Sequence, residues 1–350
     1  MSDITNHHRH MHSPVQKRWN MAMLRKATLP VTALILIFVF DAIFTPAFFN
    51  LSFVNGHLYG SLIDIFYRGA PLILMSVGMA VVIATAGIDL SVGAVVAIAG
   101  AVMAVMVDAN QYPDWLIVLA TLGAGLLCGL WNGILVAFLK IQPIIATLIL
   151  MVAGRGIAQM ITGGQIITFH SELFKGLGEG YFLGLPMRVI LVALAVVVIV
   201  VLIRRSALGL FVESVGGNVS ASRLAGIDSR GILIGAYMLC GLCAGFAGMI
   251  ITADISGADS NNAGLWMEMD AILAVVIGGT SLAGGRFSLL LTVLGALVIQ
   301  SLTISILVSG LPAEYTLLVK AVVIVLILLI QSPQMKQKIM TKWRARHARR

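Results

Sequence analysis

Long runs of apolar residues, separated by short polar segments, constrain the fold of this chain more than any other feature. The segments 71–85 and 92–107, for example, contain no charged side chain. A run of about 20 apolar residues is long enough to cross the hydrocarbon core of a bilayer as a helix. Only 11% of the 350 residues are charged, whereas a soluble domain has about 25%. The sequence therefore predicts an all-α polytopic membrane protein.

The apolar runs divide the chain into about ten predicted transmembrane helices, some of them broken or shorter than a full span. They form a transmembrane domain over 29–331, between a disordered His-rich tail at 1–28 and a basic tail at 332–350. The predicted spans are 29–49, 69–86, 90–107, 115–138, 143–162, 187–203, 231–253, 270–283, 288–308 and 315–331.

The distribution of basic residues predicts the orientation of these spans. The net charge is +8, and most Lys and Arg residues fall in the two tails and in the loop 204–230. Loops rich in Lys and Arg stay on the cytoplasmic side of a membrane. We therefore expect both termini in the cytoplasm, and we attribute the positive charge to topology rather than to nucleic-acid binding.

The segment 86–93 (AGIDLSVG) places a carboxylate between two apolar runs. Gly87 can end the first helix, because glycine adopts the left-handed conformation at little cost. Asp89 can then accept from the N–H groups that open the second helix. Interrupted backbone at membrane depth is stable only where protein or a water-filled cavity covers it. Two interpretations remain open, a helix break beside a transport path and a capped loop at the membrane surface.

Charged side chains inside the predicted spans are costly in lipid, so they should face a cavity or each other. We expect Arg155 to pair with Asp89 or Asp270, as a structural ion pair or as a proton relay. The predicted translocation path and hinge consists of Gly87, Asp89, Ser91, Asn132, Arg155 and Asp270.

The fourth predicted span carries a glycine stripe at four-residue spacing. Gly125, Gly129 and Gly133 would give one helix face a smooth groove, against which a second backbone can pack closely. Asn132 lies beside the stripe, where its amide could bond either a polar substrate or a neighbouring helix.

The basic loop 204–230 contains the signals of a short capped helix. Asn218 is a good N-cap residue, 219–225 fits two turns, and Gly226 suits the position after the helix. Such a helix on the cytoplasmic side could dock a soluble partner, or it could simply join two spans along the membrane surface.

The loop after the seventh predicted span is dense in hydrogen-bonding groups. It contains Asp254, Asp259, Asn261 and Asn262. Carboxylate and amide groups of this kind can bind the hydroxyls of a sugar, although an ordinary solvated loop has the same composition.

Several chemistries lack a sequence signal. The chain has no GxxxxGK[ST] phosphate-binding loop, no cluster of metal ligands and no Ser, His and Asp set that could form a catalytic site. We therefore expect no enzymatic activity, no metal and no cofactor in this chain.

Separated motifs resemble the membrane subunits of ribose-type ABC sugar importers. They are AGIDLSVG at 86–93, the loop at 216–227, EMDAILAVVIGGTSLAGGR at 268–286 and VKAVV at 319–323. Within that family, the segments 58–64, 140–156 and 258–266 look most like its galactofuranose-transporting members.

The resemblance implies a permease of the bacterial inner membrane that translocates a monosaccharide by alternating access. It implies a second permease subunit, identical or paralogous, a cytoplasmic ATPase that binds ATP and Mg²⁺, and a periplasmic sugar-binding protein. A proton-coupled secondary transporter of a polar solute, using Asp89 and Arg155, is the alternative.

The resemblance also implies residue roles. The outer loop residues Asp254, Asp259, Asn261 and Asn262 become the docking face for the binding protein. The helix 219–225 becomes a coupling helix seated in a groove of the ATPase, with Gly217, Asn218, Ala221, Arg223, Leu224 and Gly226 as its residues.

Overall fold

The computed structural model describes residues 14–54, 56–310, 312 and 315–331, and most of them are helical. A 3-10 helix follows the first α-helix at Pro46–Phe49. The α-helices are α1 (Pro14–Phe44), α2 (Ser61–Ala84), α3 (Val92–Asp108), α4 (Asp114–Ala137), α5 (Pro143–Ile161), α6 (Glu172–Glu179), α7 (Met187–Arg205), α8 (Leu208–Gly217), α9 (Val219–Leu224), α10 (Ser229–Asp254), α11 (Met267–Ile277), α12 (Leu289–Val308) and α13 (Thr316–Gln331). The strands are β1 (Ser52–Val54), β2 (His57–Tyr59), β3 (Ile167–Thr168), β4 (Tyr181–Phe182), β5 (Leu185–Pro186) and β6 (Gly257–Ala258).

The predicted membrane-protein class is confirmed by the length and composition of these helices. Within the described part of the chain, α2, α4, α5, α7, α10 and α12 are long and apolar enough to cross a bilayer. The segment 30–44 of α1, α3, α8 and part of α13 are shorter apolar helices. The count of ten crossings and the cytoplasmic location of the termini stay predictions.

The first helix, α1, begins at Pro14, inside the segment 1–28 that was predicted to be a disordered tail. The division of the chain into a tail, a transmembrane domain and a second tail stays a prediction. Proline is favoured at the first helical position, and the Lys, Arg, Met and Leu residues that follow are good helix formers. Residues 1–13 of the predicted tail, and the whole predicted basic tail 332–350, lie outside the described residues.

The centre of the bundle is α2. Every residue from 69 to 84 is buried, because α7, α10, α11 and α12 surround the helix. A helix that is apolar on all sides suits such a position. The neighbouring α3 is also largely buried, between α4, α5 and α10.

The glycine stripe on α4 packs against α10, as the sequence predicts. A Cβ atom added to Gly125 would lie 2.9 Å from the Cα of Gly245, and one added to Gly133 would lie 2.9 Å from the Cα of Ile234. At Gly129 the added atom would overlap the carbonyl group of Tyr237. The two helix backbones therefore touch, and only glycine permits this spacing.

The two ends of the bundle differ in structure. We call the end with α8, α9 and the α11–α12 loop the α9 end. The opposite, hairpin end carries α6 and three antiparallel strand pairs, in which Ser52 pairs with Tyr59, Ile167 with Ala258 and Tyr181 with Pro186. The strands, α6 and α8 were not predicted from the sequence.

Candidate functional site

The helix break between α2 and α3 corrects the role assigned to Gly87. The residue in the left-handed conformation is Ala86, with a φ of 64°, and not Gly87. Gly87 is needed for a different reason, because a Cβ there would come within 2.6 Å of the Tyr237 hydroxyl on α10. The break is therefore held by close packing against α10 as well as by backbone conformation.

Asp89, Ser91 and Asn132 form one buried polar cluster at this break. Asp89 Oδ1 accepts from the Ser91 N–H at 2.9 Å and from the Ser91 hydroxyl at 2.6 Å. Asn132 Nδ2 donates to Ser91 Oγ at 2.8 Å and to Asp89 Oδ1 at 3.4 Å. All three residues are almost completely shielded from solvent. The cluster ties α4 to the start of α3, so Asn132 bonds a neighbouring segment of the chain.

Thr147 on α5 supports the same break, although it was not among the residues predicted from the sequence. Its hydroxyl oxygen accepts from the Leu90 N–H at 3.1 Å and lies 3.3 Å from the carbonyl oxygen of Ile88. These backbone groups are freed because the helices stop on either side of them. The sequence signal that could have identified Thr147 is that it is the single threonine in the apolar run of α5.

The predicted ion pair between Arg155 and an aspartate is wrong. Arg155 Nη1 donates to the carbonyl oxygens of Ala263 at 2.5 Å, Ser260 at 3.3 Å and Asn261 at 3.4 Å. These carbonyls belong to the loop before α11, where no helix satisfies them, and that loop lies beside α5. Arg155 thus fastens the loop to α5.

Asp270 pairs instead with Lys320, which links α11 to α13. Lys320 Nζ lies 2.9 Å from Asp270 Oδ2, and both side chains are largely shielded from solvent. The predicted path residues therefore form three separate groups, around Asp89, Arg155 and Asp270.

The predicted docking residues of the outer loop fall into two groups, and Asp254 forms the first. Asp254 pairs with Arg188 on α7, accepts from the Tyr67 hydroxyl at 2.8 Å, and so ties together α2, α7 and α10. Arg188 also stacks on the Tyr67 ring, with its guanidinium carbon 3.4 Å from the ring centre. Asp254 is therefore engaged within the chain at the hairpin end.

Asp259, Asn261 and Asn262 form a turn at the surface. The Asn262 side chain donates to Asp259 Oδ2 at 2.7 Å, and the N–H groups of Asn261 and Asn262 donate to Oδ1 at 3.0 and 3.2 Å. These hydrogen bonds, the one from the Asn262 side chain first, hold the pKa of Asp259 below its ordinary value. Both asparagines are exposed.

The predicted capped helix is confirmed as α9, which ends one residue earlier than expected. Asn218 Oδ1 accepts from the Ala221 N–H at 2.9 Å. Gly226 has a φ of 82°, and the N–H groups of Gly226 and Ile227 donate to the carbonyls of Arg223 and Ser222, which satisfies the helix end.

One face of α9 holds the helix in place and the other is open. The side chain of Ser222 is buried, whereas Leu224 is 91% exposed. Arg223 Nε donates to Ser229 Oγ at the start of α10, at 2.6 Å. An apolar side chain this exposed at the tip of a fixed helix is available to a partner.

Two apolar grooves on the bundle do not suit a sugar. One of about 310 Å³ lies between α1, α12 and α13, and one of about 240 Å³ lies between α2, α7 and α12. Their linings, which include Phe40, Leu302, Phe66 and Val192, offer almost no polar atoms. Across the described residues, no group of His, Cys, Asp and Glu side chains could hold a metal ion.

The class of this protein follows from its match to a known family. The segment 61–328 matches the family model for the permease component of branched-chain amino acid transport systems. The chain belongs to this permease family, and with its apolar helices it is a multi-pass protein of the inner membrane. Its similarity to sugar import permeases within this family confirms the resemblance seen in the sequence.

The individual relatives include transporters of named sugars. The chain is 54% identical to the galactofuranose transporter permease of Escherichia coli (strain K12), over 86% of this chain and 88% of the relative. It is 41% identical to the fructose import permease of Bifidobacterium longum (strain NCC 2705), over 88% of each. It is 36% identical to the ribose import permease of Escherichia coli (strain K12), over 86% and 92%. No solved structure matches the chain.

Proposed function

We propose that this chain is the membrane subunit of an ATP-driven importer and that its cargo is galactofuranose. The observation that carries the choice of cargo is the 54% identity to a galactofuranose permease, against 41% to a fructose permease and 36% to a ribose permease. The alignment spans most of both chains, so it includes the membrane helices that would contact a sugar.

The proposed topology has ten crossings with both termini in the cytoplasm. The α9 end then faces the cytoplasm, and the hairpin end faces the periplasm. Arg204, Arg205, Arg223 and Arg230 all lie near the α9 end, which agrees with the tendency of basic loops to remain inside.

An ATPase subunit is proposed to bind at α9. The helix is capped at both ends, so it is preformed, and it presents Leu224 to solvent. Burial of a leucine side chain against a partner is worth about 1.5–3 kcal/mol. The ATPase subunit would bind ATP and Mg²⁺. This chain would supply α9, which moves together with that subunit.

Inside the bundle, the hinge role falls to the helix break at 86–91. Gly87, Asp89 and Ser91 place two helix ends against α4, α5 and α10. Arg155 holds the loop before α11, and Asp270 links α11 to α13. Neither residue is proposed to contact sugar. A transport site binds its cargo weakly, because it must also release it.

On the outer side, the turn at Asp259, Asn261 and Asn262 is proposed as the part that meets a sugar-binding protein. Its amide groups are exposed and held in a fixed arrangement. Asp254 is proposed to support this region from within, through Arg188. A second permease subunit completes the proposed assembly.

Uptake measurements in an Escherichia coli strain that lacks its own galactofuranose permease test this proposal. We expect the chain to restore uptake of labelled galactofuranose, with unlabelled fructose and ribose competing poorly. Uptake should stop when ATP is depleted and should persist when an uncoupler collapses the proton gradient. Uptake by the purified chain alone in vesicles, driven by a pH gradient, would instead support a proton-coupled transporter.

A further inference from the structure

Three backbone segments meet beside α9 with almost no side chain between them. They are the end of α2 at 84–86, Gly216 near the end of α8, and the α11–α12 loop at 284–285. The Gly285 N–H donates to the Ala84 carbonyl at 2.9 Å. We call this contact the backbone junction.

Glycine is required at two positions of the backbone junction. A Cβ atom added to Gly216 would overlap the carbonyl oxygen of Ala84 and lie 2.8 Å from the N of Gly285. A Cβ atom added to Gly284 would lie 2.8 Å from the N of Ala86 and from the carbonyl oxygen of Gly216. Each of the three segments therefore touches the other two.

The position of the junction along the chain connects the features described above. Gly216 and Gly217 lead directly to Asn218, which caps α9. Ala86 is followed by Gly87 and the Asp89 cluster. The loop 284–285 follows α11, which carries Asp270.

From these contacts we infer that the backbone junction transmits movement of α9 to the helix break at 86–91 and to the α11–α12 loop. Gly216 and Gly284 are positioning residues in this step. Backbone groups in direct contact cannot change rotamer, so a displacement of one segment must move the others. The inference rests on the proposed function, because it requires an ATPase that moves α9.

The principal test compares Gly216→Ala with Gly235→Ala in the full transporter, assembled with its own ATPase and sugar-binding protein. Gly235 lies on α10, outside α9, and a Cβ added there meets nothing within 4 Å. We expect Gly216→Ala to retain the ATPase subunit and basal ATP hydrolysis. Sugar uptake, and stimulation of hydrolysis by loaded binding protein, should each fall about tenfold, a typical coupling effect. Gly235→Ala should match the wild type in all of these measurements, and equal uptake by both variants would overturn the inference.

A second variant covers the case in which Gly216→Ala does not fold. Gly284→Ala adds a Cβ on the opposite side of the junction, 2.8 Å from the N of Ala86 and from the carbonyl oxygen of Gly216, and leaves the sequence of α9 unchanged. Gly285→Ala is its control, because Gly285 also has a positive φ but a Cβ added there meets nothing within 4 Å. We expect normal ATPase binding with a similar loss of uptake for Gly284→Ala only, and equal uptake by these two variants would contradict the inference.

The outcomes separate this inference from the proposed function. If wild-type uptake depends on ATP while Gly216→Ala and Gly284→Ala both transport normally, the junction assignment fails alone. If wild-type uptake does not depend on ATP, the proposed function fails and the inference fails with it.

Discussion

At the scale of single residues, the Asp89 cluster is a set of hydrogen-bonded polar groups in an apolar interior, in which Asn132 Oδ1 alone is left without a partner among the described residues. Asp89 accepts from Ser91 and Asn132 and faces no basic side chain in these hydrogen bonds. A buried donor that loses its acceptor costs about 1–3 kcal/mol. The hydrogen bonds of this carboxyl group should therefore matter more than its charge.

Substitution of Asp89 separates these two contributions. Asp89→Asn keeps an acceptor oxygen beside Ser91, so we expect most of the thermal stability and uptake to remain. Asp89→Ala leaves the Ser91 N–H and hydroxyl without their acceptor, and we expect the melting temperature and the uptake per folded protein to fall. Both are measured on purified, reconstituted protein. Equal losses in the two variants would show that the charge itself is required.

The Asp259 turn should depend on pH in a direction set by its lowered pKa. The stabilisation is present above the unfolded pKa, about 3.9, and is lost as the pH falls through the folded value. We expect slow amide exchange at Asn261 and Asn262, relative to an Asp259→Ala variant, at pH 7 and at pH 5. Loss of this protection between pH 7 and pH 5 would contradict the lowered pKa.

At the scale of helices, backbone-to-backbone packing and preformed ends account for most of the arrangement. The α4–α10 contact depends on glycines that leave no room for a methyl group. The exposed α9 depends on local caps and on Ser222 and Arg223, which fix it to the chain. Both features are local enough to be tested with closely matched variants.

Gly129→Ala should destabilise the α4–α10 contact, whereas Gly123→Ala on the same helix should not. Overpacking costs about 1–3 kcal/mol, and a Cβ added to Gly123 meets nothing within 4 Å. We expect a lower melting temperature in detergent for Gly129→Ala only. A melting temperature unchanged in both variants would mean that the helices separate without cost.

Leu224→Glu should weaken binding of the ATPase by about tenfold or more, as expected for a buried apolar anchor. Leu183, which is 88% exposed between β4 and β5 at the hairpin end, provides the control. We expect Leu183→Glu to leave ATPase binding unchanged. Co-purification and the dissociation constant measure the effect, and equal binding by both variants would remove α9 as the docking helix.

At the scale of the whole molecule, the proposed topology places α9 and the hairpins on opposite sides of the membrane. The native cysteines are not exposed: Cys128 is partly buried, and Cys240 and Cys243 are buried. A membrane-impermeant maleimide should label Leu183→Cys in spheroplasts and Ser220→Cys only after lysis. The reverse pattern would invert the orientation.

The sequence predicted the long apolar helices well because apolar runs are a local signal, but the short helices α6 and α8 were missed. It also predicted α9, since a cap depends on residues within one turn. It misassigned the left-handed residue, which is Ala86. It also missed why Gly87 is needed, because the contact that requires a glycine there is with Tyr237, which is distant in sequence. The prediction that Arg155 pairs with an aspartate failed because its hydrogen-bond acceptors are carbonyl groups of a loop that is distant in sequence.

The position of α2 has a consequence for the order in which the protein assembles. The helices that cover it, α7, α10, α11 and α12, all follow it in the chain. The core around α2 therefore cannot close until synthesis has passed Val308, the end of α12. Until then α2 must be surrounded by lipid or by the insertion machinery, and a surface that is apolar on every side makes lipid an acceptable temporary neighbour.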